Sequence, residues 1–78
     1  MKELNLNELN RHAKAIYDAL LDARGGKSVD EFMFFNAYEL RLNNFAPGHK
    51  INYLNRGSFT VDGKRYRIEI KGDKISIK

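Results

Sequence analysis

SFTVDGKRYRIEIKGDKISIK, residues 58–78, decides the fold. Two glycine-bearing dipeptides, Asp62-Gly63 and Gly72-Asp73, cut it into three runs that alternate apolar and polar residues. Asp-Gly suits a two-residue hairpin turn in which both central residues take positive φ, and Gly-Asp suits a second one. Counting outward from the first turn pairs Val61 with Lys64, Thr60 with Arg65 and Phe59 with Tyr66. Counting outward from the second pairs Lys71 with Lys74, Ile70 with Ile75, Glu69 with Ser76, Ile68 with Ile77 and Arg67 with Lys78. Both registers give the same two faces. Phe59, Val61, Tyr66, Ile68, Ile70, Ile75 and Ile77 point to a core. Thr60, Arg65, Arg67, Glu69, Lys71, Lys74, Ser76 and Lys78 point to water. A β-meander over about 50–78 follows, and Ile51–Leu54 can add a short fourth strand turned at Asn55-Arg56-Gly57.

The residues upstream read as helices. Asn5 with Glu8 forms a capping pair. Leu6, Leu9, Ala13, Ile16, Tyr17 and Leu20 then recur at helical spacing over about 6–24. Gly25-Gly26 ends this helix, since glycine accepts a left-handed C-cap. Ser28 with Glu31 suggests a second start, giving a helix over about 29–43 that stops before Pro47. Its apolar residues fall on two sides. Val29, Met33, Ala37 and Leu40 form one, with Phe32 at the margin; Phe34, Tyr38, Leu42 and Phe45 form the other, with Phe35 at its margin. Residues 38–42 also alternate with period two, so an extended conformation stays open there.

The expected class is α+β in the order α-α-β-β-β, with a possible fourth strand, in a single domain over 1–78. Three strands span roughly 14 Å, whereas two helices side by side need about 20 Å. Either helix 2 is sandwiched between helix 1 and the sheet, or both helices share the sheet. In the second layout the Phe34, Tyr38 and Phe45 side is left uncovered and needs a partner, such as a second copy of the chain.

Composition narrows the chemistry. The 78 residues contain no cysteine and two histidines, so neither a disulfide framework nor a structural zinc site is expected, and no cofactor is implied. The start shows no apolar export signal. The longest apolar run, Phe32–Phe35, is far below the roughly 20 residues that cross a bilayer. A cytoplasmic protein without membrane partners is therefore expected. Gly25-Gly26-Lys27-Ser28 resembles the end of a phosphate-binding loop, but Leu21 stands where that motif needs its first glycine. His12 reads as a half-exposed helix residue and His49 as a loop residue. Neither has a nucleophile or carboxylate placed by sequence to make a catalytic pair, so no enzyme is expected.

Charge carries the functional signal. Residues 1–49 hold six Lys/Arg against seven Asp/Glu, and residues 50–78 hold eight against three, so the net charge of +4 lies in the last third. On the solvent face Arg67 opposes Lys78 and Lys71 opposes Lys74, like-charge pairs that cost a few tenths of a kcal/mol each on a scale of about 0.2–1. An anionic partner would turn that cost into attraction. Two candidate surfaces result: the basic face of Arg65, Arg67, Lys71, Lys74 and Lys78, and the aromatic side of Phe34, Tyr38 and Phe45. The expected role is a small binding protein that modulates or inhibits a macromolecular partner with an acidic or phosphate-rich surface. A protein partner is favoured over nucleic acid, because no aromatic interleaves the charges to stack on bases. The alternative is a nucleic-acid binder that contacts phosphates through the same face. The size and composition are those of phage and mobile-element accessory proteins, inhibitors of host defence among them, an association that rests on size and composition alone.

Overall fold

The computed structural model describes residues 3–78; Met1 and Lys2, where the export-signal reading begins, lie outside the described residues. Two helices, α1 (Leu6–Ala23) and α2 (Glu31–Phe45), precede four strands, β1 (Ile51–Tyr53), β2 (Ser58–Val61), β3 (Lys64–Lys71) and β4 (Lys74–Ile77). The strands form one antiparallel sheet in the order β1-β2-β3-β4. The short fourth strand is real, and every pairing counted from the two turns is present. Arg67 and Lys78 exchange both backbone hydrogen bonds, at 2.8 and 2.9 Å.

Turn chemistry fixes that register. Asp62 (φ 53°) and Gly63 (φ 87°) both take the left-handed region that this hairpin demands. The β1–β2 turn does the same with Arg56 (φ 47°) and Gly57 (φ 83°). Gly57 is also a close approach: a Cβ there would lie 3.1 Å from the Ile68 carbonyl oxygen and 3.3 Å from Glu31 Cγ.

Both helices begin alike. The Asn5 side chain accepts the Glu8 N–H at 2.9 Å, and the Asp30 carboxylate accepts the Met33 N–H at 2.7 Å. In each case the residue before the cap and the fourth helical residue are buried, Leu4 with Leu9 and Val29 with Phe34, the positions of a hydrophobic staple. The start of α2 therefore lies two residues beyond the expected Ser28 cap. Asp30 with a buried Val29 before it satisfies the first turn, whereas Ser28 is exposed.

Residues 38–42 are helical, and burial shows why. Tyr38 and Leu42, one turn apart, are both fully buried, while Leu40 between them is 67 % exposed. A strand would have put all three on one side.

Both helices share the sheet. α1 lies against α2 and β4, and α2 reaches β1 and β2 through Phe35, whose ring is 5.0 Å from that of Tyr53 and 5.5 Å from that of Phe59. The fourth strand widens the sheet to roughly 19 Å, which removes the width objection to two helices side by side. α2, however, presents the opposite side from the one expected. Phe34 and Tyr38 have no exposed surface and Phe45 is half-buried. The side left in water carries Phe32 (61 % exposed) and Leu40. Inward placement buries the larger aromatic area: Phe34 stacks on Tyr38 at 4.9 Å and meets Tyr17 edge-on at 6.2 Å. The Tyr38 hydroxyl donates to the Leu9 carbonyl at 2.7 Å, and burial holds this phenol well above the usual tyrosine range.

Candidate functional site

Strand β3 positions the cationic surface. Its apolar residues Tyr66 and Ile68 are buried under the helices, and the intervening Arg65, Arg67 and Lys71 are exposed. Lys74 and Lys78, placed opposite Lys71 and Arg67, are exposed as well. All five basic residues singled out in the sequence therefore share one side of one sheet. Thr60, opposite Arg65, and Ser58, opposite Arg67, continue that side across β2.

One acid stands among the five cations. Glu69 lies on the same side of β3 and pairs with Lys78, Nζ to Oε2 3.0 Å. The hydrogen bond from Lys78 comes first in holding its carboxyl below the usual glutamate range; the charges of Lys78, Lys71 and Arg67 add to it. Such an exposed, solvent-screened pair contributes little to stability, so it orders the face without removing its charge. Lys64, at the start of β3, belongs to the other side, with its ammonium 5.6 Å from the centre of the Tyr66 ring.

The aromatic set is not a surface. Phe34 and Tyr38 form the core between the helices and the sheet. Phe45 closes its end, 4.3 Å from the His12 ring and with the Arg11 guanidinium 5.8 Å from its centroid. The proposed helical docking side is corrected accordingly: Phe34 and Tyr38 have no accessible surface to offer a partner, and of the three only Phe45 keeps some.

His12 is a second correction. It is buried, not half-exposed. Its Nδ1 accepts from Arg41 Nε at 2.8 Å, and its Nε2 lies 3.7 Å from Glu8 Oε2. Arg41 thus ties α2 to α1. His49 sits beside the β2–β3 turn, with Nδ1 2.5 Å from Asp62 Oδ2, while the backbone N–H of Lys50 donates to Asp62 Oδ1 at 2.8 Å. The hydrogen bond with His49, then that from Lys50, lowers the Asp62 carboxyl. Among the described residues no group of three or more His, Cys, Asp or Glu is placed to hold a metal ion, and no helix is long and apolar enough to cross a membrane.

Asn10 is the contact that sequence reading missed. Its side-chain amide donates to the Ile77 carbonyl (3.0 Å) and accepts the Ile77 N–H (2.7 Å), so at Ile77 it takes the place of a neighbouring strand on the outer edge of β4. An asparagine in the middle of a helix is the available signal, because a poor helix former there points to a tertiary role.

The chain matches no protein-family model, no curated protein and no solved structure.

Proposed function

We propose that this protein is a non-enzymatic binding module that captures an acidic macromolecular partner, favouring a protein, on the outer face of its sheet. It acts by occluding or modulating that partner inside the cell, a setting in keeping with a chain free of cysteine. The observation that carries the reading is the grouping of Arg65, Arg67, Lys71, Lys74 and Lys78 on one exposed side, with Glu69 as the one acid of that side. Like charges set opposite each other weaken a sheet, and an acidic surface laid on them reverses the sign.

Glu69 favours protein over nucleic acid. A carboxylate in the centre of the face repels phosphates, whereas an acidic protein surface can offer it a lysine or arginine. Phe59 and Tyr66 are buried on the far side of the sheet, so neither ring is offered on the cationic face for base stacking.

Affinity capture from cell lysate with mass spectrometry tests the proposal: a protein with an acidic surface is expected, released by salt. Fluorescence anisotropy with random duplex and single-stranded DNA tests the competing reading. Tight binding that weakens steeply with salt would replace the protein partner with nucleic acid. No DNA binding at about 50 mM salt removes that reading.

A further inference from the structure

The two edges of the sheet differ. The edge of β4 lies against α1, and Asn10 satisfies the outward N–H and carbonyl of Ile77. Among the described residues the edge of β1 has no strand beyond it. Asp62 N–H donates to the Lys50 carbonyl and Leu54 N–H to the Ser58 carbonyl, so residues 50, 52 and 54 bond inward to β2. By alternation the N–H and carbonyl groups of Ile51 and Tyr53 point outward.

The surroundings of this edge are not neutral. On the helical side the exposed Phe32 ring stands edge-on to Tyr53 at 5.8 Å. At the Leu54 end of the strand Tyr53, Leu54, Asn55, Ser58 and Arg65 line a depression of about 390 Å³. Arg65 is the charged group in that lining, and Lys50 is exposed at the start of the strand. A chain laid along β1 therefore borders the depression that Arg65 lines and Lys50, which the Asp62 carboxylate faces, with one set of alternate side chains, and meets Phe32 with the other.

We infer that β1 is a docking edge for an extended segment of the partner that carries acidic and apolar side chains in alternation and adds to the sheet as a fifth strand. Backbone bonds to Ile51 and Tyr53 hold the segment, and the side-chain alternation selects it. Charge argues against a second copy as occupant, since each chain carries a net +4 and would present the same cations. The inference rests on the proposed function, because it names the part of an acidic partner that the cationic face receives.

The test is an NMR titration of the full chain with a synthetic eight-residue peptide of alternating glutamate and valine, and with its lysine–valine counterpart. The glutamate peptide is expected to slow amide exchange of Ile51 and Tyr53 by at least about tenfold, and the lysine peptide to leave both unchanged. Shifts at Arg67, Lys71 and Lys74 without protection of Ile51 and Tyr53 would overturn strand addition and leave the cationic-face reading standing. No response at either place overturns both. Protection that grows with protein concentration in the absence of peptide would give the edge to a second copy and overturn the acidic occupant. Ile51→Pro removes an N–H that β2 does not use and is expected to abolish the protection at Tyr53. Should that variant lose its fold, Arg65→Glu, an exposed change, is expected to weaken the glutamate peptide at least about tenfold. Unchanged binding by either folded variant contradicts the inference.

Discussion

The two faces of this sheet are written into the same strand and do opposite work. Along β3, Tyr66 and Ile68 lie under the helices while Arg65, Arg67 and Lys71 stand in water. One face carries the folding energy and the other carries charge that folding does not need. The contrast separates two kinds of residue that composition alone would merge: those whose loss unfolds the chain, and those whose loss leaves it folded and, on the proposed function, without a partner.

The apolar face should break first and hardest. Phe59 is fully buried among Phe35, Tyr38 and Tyr66. Phe59→Ala is expected to cost about 3–5 kcal/mol, a large share of the roughly 4–12 kcal/mol available to a chain of this size. Urea unfolding reads it as a large fall in midpoint. Gly57→Ala comes next, at about 1–2 kcal/mol, because alanine must hold a left-handed φ and its Cβ presses on the Ile68 carbonyl. Tyr38→Phe removes the hydroxyl bond to Leu9 and should cost about 1 kcal/mol in the same assay.

Two surface carboxylates respond to acid. Asp62 and Glu69 have carboxyls held below their ordinary values of 3.8 and 4.5. Their contribution to stability is therefore complete above those values and is lost as pH falls through the lowered ones. Thermal unfolding between neutral pH and pH 2 should show the midpoint of the wild type falling on the acid side, and Asp62→Asn with Glu69→Gln should flatten that fall. The smallest effect belongs to the cationic face itself. Lys71→Glu, which replaces a like-charge pair with Lys74 by an opposite one, should raise stability by a few tenths of a kcal/mol. A loss of 1 kcal/mol or more would erase the distinction between the faces.

How far the sequence spoke depends on the range of the forces involved. Asp62-Gly63 and Gly72-Asp73 set strand register locally, through backbone preference and strict alternation, so the hairpins and the placement of all five cations were legible. The aromatic side of α2 was not. Phe32 and Leu40 differ from Phe34 and Tyr38 only in angle around the helix, and the helix is apolar on both sides. Which side turned inward depended on a sheet wide enough for two helices, and hence on the three residues of β1. Asn10 and Arg41 act across 67 and 29 residues of sequence, on Ile77 and His12 respectively. No local pattern announces such partners.

The most direct test of the cationic face is quantitative capture of an acidic protein partner by wild-type protein and by an Arg67→Glu, Lys71→Glu double variant, with unfolding midpoints measured on the same samples. The variant is expected to unfold at or above the wild-type midpoint and to retain no partner. Capture at the wild-type level by a fully folded variant would contradict it.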